Sequence, residues 1–316
     1  MYARRRSAAH PFRGSSGLLS EVGGTPLVSL TDAVRGLVPL PDSVNLLAKC
    51  EWFNPGGSVK DRPALSMVLA AERSGVLKSG MTLLDASSGN TGIAYAMVAA
   101  ARGYQLMLCL PKNANAERKQ LLASYGATIV DTDPLEGSDG AIREARRLAA
   151  AEPDLVYLDQ YSNPANWEAH FQTTGPEILA QSEGEISHFV AVVGTGGTFT
   201  GVGRFLRRSK PDVQLIEVQP DGPFHGLEGL KFMETSIVPP IWDAELADRR
   251  IGAPTEEAYE WVRHLAAQGV LVGPSGGAAV WAAVEVARQL ERGTVVTVLP
   301  DSGTRYLSEP HIWSAP

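Results

Sequence analysis

The chain has 316 residues and a formal net charge of −7, from 28 Lys+Arg against 35 Asp+Glu. That length exceeds a usual single domain, so one large or two closely packed domains are expected. The acidic balance argues against a broad nucleic-acid or anionic-membrane surface. The longest apolar run, 93–101, is about half the ~18 residues of a membrane span, so a soluble, cytoplasmic globular protein is expected.

Cys50 and Cys109 lie in apolar, strand-like stretches and read as small buried hydrophobes rather than a disulfide framework. His10, His170, His188, His225, His264 and His311 are scattered without ligand spacing, so no metal site is expected. Arg4, Arg5, Arg6 and Arg13 crowd the N-terminus, but no apolar stretch follows them. This argues against a secretory signal and leaves an organelle transit peptide open.

In chain order, apolar strand-like runs occur at 45–49, 82–86, 105–110, 128–131, 155–159, 188–193, 214–218 and 294–299. Helical patterns lie at 63–74, 91–102, 116–125, 138–151, 165–181, 198–209, 255–268 and 276–291. The alternation reads as βαβ units with parallel sheet. Continuous apolarity within the strands fits sheets covered on both faces. The expected fold is α/β, with two doubly wound lobes and parallel-rich sheets. The first 40 residues and 220–250 show no clear period.

In such folds ligands meet strand ends and helix N-termini, so the turns after strands carry the information. The first turn is Asn54-Pro55-Gly56-Gly57-Ser58-Val59-Lys60-Asp61-Arg62, with Lys60 beside a helix start. The positive end of a helix disfavours the ammonium form, which suits a lysine acting as an amine nucleophile or base. A capped helix start with a solvated lysine is the plainer reading. The second is Asp85-Ala86-Ser87-Ser88-Gly89-Asn90-Thr91-Gly92. One or two of its polar residues would be ordinary caps, whereas four with two glycines suggest a nest for a carboxylate or phosphate.

The third is Gly194-Thr195-Gly196-Gly197-Thr198, a compact phosphate cradle that lacks both the P-loop Gly-Lys-Ser/Thr and the GxGxxG spacing. A single-phosphate ligand therefore fits better than a nucleotide. Gly273-Pro274-Ser275-Gly276-Gly277 and Pro300-Asp301-Ser302-Gly303-Thr304 are further glycine turns. An amine, a carboxylate nest and a phosphate cradle together suggest a lysine-bound phosphorylated cofactor acting on an amino acid.

Read in this order, the segments resemble the cysteine synthase family of fold type II, pyridoxal-phosphate (PLP)-dependent enzymes. The resemblance runs from Gly23-Gly24-Thr25-Pro26-Leu27 to Arg305-Tyr306-Leu307-Ser308. It is carried most specifically by 54–62 (NPGGSVKDR), 87–93 (SSGNTGI), 160–166 (QYSNPAN), Thr174-Gly175-Pro176-Glu177 and 194–198 (GTGGT). It implies two lobes with the cofactor in the cleft between them: a smaller, mobile lobe over 55–163, and a larger one from 1–54 plus 164–316. The family implies a homodimer, and its members bind serine acetyltransferase or a sulfur carrier.

By the same resemblance, Lys60 holds PLP as a Schiff base and transfers the proton. Asn90 meets the cofactor's 3′ oxygen, and Gly194, Thr195, Gly196, Gly197 and Thr198 bind its phosphate. Ser275 meets the pyridine nitrogen, while Ser87, Ser88, Thr91 and Gln160 hold the substrate carboxylate. The implied reaction is β-replacement through an aminoacrylate, making cysteine from an O-activated serine and sulfide or another sulfur donor. The family's usual threonine is Ser87 here, and the preceding acid-small pair is Asp85-Ala86, a mild variant. The stretch 220–240 looks like that of B-type enzymes, with Lys231 near a position where those carry an arginine that meets anionic substrates. Lys231 keeps the charge without the fork; substrate contact and a solvated surface lysine stand as equal readings. Alternatives are a cystathionine β-synthase-like condensation of serine with homocysteine, a diamino-acid synthase, and an inactive scaffold that binds a partner.

Overall fold

The computed structural model describes residues 12, 17–87 and 89–314. Its strands, in chain order, are β1 (Leu27–Ser29), β2 (Val44–Cys50), β3 (Thr82–Ala86), β4 (Gln105–Pro111), β5 (Thr128–Thr132), β6 (Leu155–Tyr157), β7 (His188–Val192), β8 (Gln214–Pro220), β9 (Arg249–Ala253) and β10 (Gly293–Leu299). The helices are α1 (Thr31–Arg35), α2 (Asp61–Arg73), α3 (Asn90–Arg102), α4 (Ala116–Ser124), α5 (Gly137–Ala151), α6 (Ala165–Ala169), α7 (Gly175–Gln181), α8 (Gly197–Ser209), α9 (Thr255–Ala267), α10 (Pro274–Ala287) and α11 (Pro310–Trp313). The fold is α/β, built of two compact units. Of the described residues, one comprises Gly23–Val59 and those from Trp167 onward; the other comprises those of Phe12–Val22 and Lys60–Asn166.

The first unit carries a sheet of order β1-β2-β10-β7-β8-β9. All its neighbouring pairs are parallel except β1 with β2. Side chains alternate between faces along each strand. Leu46, Ala48, Val190, Ile216 and Val295 enter one core, with α9 and α10, while Leu47, Phe189, Ala191, Leu215 and Val296 enter another, with α8. Covering both faces in this way is what makes the strands read as unbroken apolar runs.

Lys49, fully buried in β2, donates to Glu177 Oε2 at 2.7 Å, Gln181 Oε1 at 2.7 Å and the Thr25 carbonyl. Glu177 also accepts the Gly24 N–H at 2.9 Å. This network ties the Gly-Gly-Thr-Pro-Leu motif to α7, which accounts for both motifs without chemistry. Lys49→Met leaves the Glu177 carboxylate without its cation, so a loss of about 3–5 kcal/mol is expected in urea unfolding. A loss under 1 kcal/mol would show that the pair is not a structural anchor.

The second unit has a fully parallel sheet of order β5-β4-β3-β6. Leu83, Leu106, Leu108 and Val156 pack on one face with α2 and α3; Leu84, Ala86 and Cys109 pack on the other with α5. The sequence assigns all of 1–54 to the larger lobe, but Phe12, Leu19 and Val22 are buried among Ala64, Leu65 and Met97 in the second unit. Three apolar side chains placed against α2 and α3 outweigh proximity in sequence.

The pattern at 165–181 reads as one helix. The structure is helical over that whole range, with its middle turn, His170–Thr174 between α6 and α7, widened to a π-helix. The cause is close packing: a Cβ on Gly201 would lie 2.2 Å from the Trp167 carbonyl oxygen, and one on Gly175 would lie 2.8 Å from the Phe205 ring. Strands β1 and β9 escape the periodicity reading because both are short edge strands, and β9 carries two exposed arginines. Among the described residues no helix is long and apolar enough to cross a membrane.

Candidate active site

In the second unit, β3 ends at Ala86 and α3 begins at Asn90, so 87–89 is a strand-to-helix turn. Ser87 Oγ accepts the N–H groups of Gly89 at 3.3 Å and Gly92 at 3.2 Å. Part of the polar excess seen in the sequence is therefore capping. Gly92 is required there, since a Cβ would lie 2.7 Å from the Ser87 carbonyl oxygen. Ser88, also predicted for this nest, lies outside the described residues. Asn90 is half-buried and opens the helix; Thr91 is buried.

Thr91 Oγ1 donates to Gln160 Oε1 at 2.8 Å, joining residues 69 apart. They meet because β3 and β6 are parallel neighbours, pairing Leu84 with Tyr157, so their carboxyl ends open together. The strand order changes direction at β3, which makes this the crevice where α/β folds bind ligands. Gln160 is buried, and its Nε2 donates to the Ala86 carbonyl at 3.1 Å.

Lys60 stands half-buried at the N-cap position of α2 and makes no side-chain capping bond. Asp61 and Arg62, which follow it in the motif, are fully buried. The preceding part of that motif belongs to the first unit. There Asn54 Nδ2 donates to the Glu51 carbonyl (2.8 Å), Glu51 Oε2 (2.9 Å) and the Ser58 carbonyl (3.1 Å), while Asn54 Oδ1 accepts the Gly23 N–H (2.8 Å). The Val59 N–H donates to the Pro300 carbonyl at 2.8 Å. The asparagine of the motif is thus a clamp that fixes the turn leading to Lys60.

Also in the first unit, β7 runs into 193–196 and then α8. Gly196 has φ 85°, a left-handed conformation that glycine takes without strain. The first turn of α8 has no acidic residue, and Arg207 and Arg208 sit in its last turn. Amides at a helix N-terminus, two threonine hydroxyls and no carboxylate suit a phosphate. The Lys231 N–H donates to the Val193 carbonyl at 3.0 Å, which places half-buried Lys231 beside this loop.

Ser275 is buried, a neutral hydroxyl at the second position of α10. Asp301, fully buried, accepts the Tyr306 hydroxyl at 2.7 Å and bridges by backbone to Ser58. It braces the turns around Gly273 and Ser58. Within the first unit, an anion cradle without carboxylates and a buried neutral hydroxyl at a helix start suit the phosphate and ring nitrogen of pyridoxal phosphate; within the second, the half-buried amine of Lys60 suits its aldehyde.

His170 was passed over in the sequence. It is buried, with Nδ1 2.9 Å from Thr174 Oγ1 and Nε2 3.3 Å from Thr198 Oγ1. The π turn aims its ring at the phosphate loop, and no local pattern announces that contact. Burial pushes the Cys50 thiol up to about 12, aided by Glu51, and the Cys109 thiol up to about 11, aided by Glu144 and Asp85. Both cysteines are free and buried, without the thiolate character that reactivity needs. Among the described residues no group of three or more His, Cys, Asp or Glu could hold a metal ion.

A family profile described as pyridoxal-phosphate dependent enzyme matches residues 18–301. A cysteine synthase of Aquifex aeolicus (strain VF5) is 52% identical over 299 residues, covering 92% of this chain and 90% of its own. A cysteine synthase B of Pseudomonas aeruginosa is 43% identical over 289 residues, covering 91% and 94%. Among solved structures, a cysteine synthase of Entamoeba histolytica superposes with a TM-score of 0.90 at 32% identity, covering 97% of this chain and 93% of its own. A family match over residues 18–301 and relatives this similar over nearly the whole chain mean that it belongs to the pyridoxal-phosphate-dependent enzyme family, alongside the cysteine synthases.

Proposed function

We propose that this protein makes L-cysteine by β-replacement, from O-acetylserine and sulfide, as a cytoplasmic homodimer. The observation that supports it most directly is the Thr91–Gln160 pair at the β3/β6 crevice, in the unit that also carries Lys60. With its oxygen held by Thr91 and one N–H given to Ala86, Gln160 has a second Nε2 N–H for a substrate carboxylate at a strand-end crevice. Bound pyridoxal phosphate supplies an electron sink at the amino-acid Cα.

The chain's own groups do the rest. The amides and hydroxyls of 194–198 would hold the phosphate, and Asn90 and Ser275 would meet the 3′ oxygen and the ring nitrogen. As a neutral hydroxyl, Ser275 does not favour a protonated nitrogen as a carboxylate would, which suits elimination over transamination. Ser87, Ser88, Thr91 and Gln160 orient the substrate through its carboxylate. Lys60 carries the cofactor and moves the proton at Cα. Lys231, held beside the phosphate loop, tunes the choice among anionic substrates.

The test offers the purified holoenzyme O-acetylserine, O-phosphoserine and serine in turn, each with sulfide, and serine with homocysteine. Rapid cysteine formation from O-acetylserine is the expected result. Preference for O-phosphoserine, lost in Lys231→Met, would move the donor to a phosphorylated serine. Cystathionine from serine and homocysteine as the fastest product would overturn the reading in favour of the condensing reaction. Failure to take up pyridoxal phosphate would leave only a partner-binding scaffold.

A further inference from the structure

The carboxylate crevice has a support that neither the motifs nor the proposed roles use. Asp85, the fourth residue of β3, is fully buried directly beneath the nest. Its Oδ1 accepts the Ala86 N–H at 2.7 Å and its Oδ2 accepts the Gln160 N–H at 3.3 Å. Gln160 then closes the ring, with Nε2 donating to the Ala86 carbonyl at 3.1 Å and Oε1 accepting from Thr91 at 2.8 Å. Asn166 Nδ2 holds the Gln160 carbonyl at 2.6 Å from the far side. One carboxylate therefore grips the backbone at both walls of the crevice, at the end of β3 and just after β6.

We propose that Asp85 is a positioning residue for the substrate carboxylate: in its ionised form it fixes Gln160 and the start of the 87–91 nest at the spacing that Thr91 and Gln160 need to receive an amino acid. The two backbone groups held by Asp85 are N–H donors, and the Tyr95 hydroxyl beside them also favours the carboxylate; a protonated carboxyl is a weaker acceptor for all three. Among the described residues no cation pairs with it. The titratable groups that face it are Tyr95 on α3, Cys109 on β4, Tyr157 on β6, and Asp159 and Tyr161 in the turn beyond. Arg146 on α5 goes to Asp159 at 3.8 Å.

Desolvation, reinforced by the charge of Asp159, raises the Asp85 carboxyl from 3.8 to about 7, against the pull of Tyr95 and the Ala86 and Gln160 amides. The sign follows. Below about 7 the carboxyl is protonated and its grip on Gln160 weakens; above it the full charge-assisted grip is restored. Affinity for the amino acid therefore improves as pH rises through neutrality. Such poised, buried acids gather at functional sites more often than elsewhere.

The inference rests on the proposed function only in taking an α-amino acid as ligand, so the test uses L-alanine, which has the carboxylate but no leaving group. Its dissociation constant from the holoenzyme is read from the cofactor's absorbance between pH 6 and 8.5, corrected for titration of the amino group. The wild type is expected to show an inflection near neutrality. Asp85→Asn is expected to weaken binding about tenfold at pH 8 and to flatten the inflection, as loss of one charge-assisted hydrogen bond implies. With O-acetylserine and sulfide, the Michaelis constant should rise in the same proportion while the turnover rate at saturation stays within about threefold.

Amide hydrogen exchange of peptides covering 85–91 and 158–162 should quicken in Asp85→Asn, a readout independent of any substrate. No inflection in the wild type would overturn the proposal even if the variant fails to fold. So would unchanged alanine affinity in a folded Asp85→Asn. Normal alanine behaviour without activity toward O-acetylserine would instead count against the proposed function and leave the role of Asp85 standing.

Discussion

Lys60→Ala is expected to lower the rate of cysteine formation by roughly 10³-fold or more while leaving the fold intact. A positioned group that moves a proton contributes about 10²–10⁴-fold, and here the same side chain also anchors the cofactor. The fold should tolerate the change because Lys60 makes no side-chain capping bond to α2 and is only half-buried. Unfolding free energy should stay within about 0.5 kcal/mol of wild type. Borohydride reduction followed by mass spectrometry gives a direct readout. The wild-type chain should gain the mass of one cofactor and the variant none. Lys60→Arg, which keeps the charge but not the amine, should behave like the alanine variant. Activity within tenfold of wild type in either variant would remove Lys60 from the chemistry.

Gly194→Ala is expected to weaken pyridoxal phosphate binding on the order of 10²-fold, the scale of a displacement of about 1 Å in a positioned site. A Cβ at position 194 would lie 2.1 Å from the Gly229 carbonyl oxygen. That neighbour is backbone and cannot swing aside as a side chain can, so the phosphate loop itself must move. The measurement is titration of the cofactor-free variant with pyridoxal phosphate. Gly222→Ala is the control: its Cβ would meet nothing within 4 Å. If Gly194→Ala binds the cofactor as tightly as the control, 194–198 is not the phosphate cradle.

Much of the architecture is legible along the chain. Strands β2, β4, β7, β8 and β10 follow the apolar runs to within about two residues, because a strand covered on both faces is mostly apolar on both, with paired exceptions such as Lys49. Strands β1 and β9 are not legible, since an edge strand needs little apolarity. The helix read at 165–181 is helical along its whole length; only the widening at 170–174, where α8 approaches closely at Gly201, has no mark in the sequence. The site is similarly divided. Lys60, Asn90 and 194–198 stand in local strand-to-helix turns, and local turn chemistry marks them. Ser87 looks the same in sequence as its neighbours, yet much of its hydrogen bonding caps α3.

By itself the sequence determined the alternation of strands and helices, the glycine turns, the amine, the phosphate-loop composition and the inert burial of Cys50 and Cys109. These follow from forces acting over a few residues: backbone sterics, capping, and the period at which a face becomes apolar. Only the tertiary structure decided that β6 lies beside β3, so that Gln160 meets Thr91 and rests on Asp85, and that His170 reaches Thr198. Strand order is settled by burying two faces of a sheet at once, a condition that couples residues far apart in the chain and leaves no mark on any local segment.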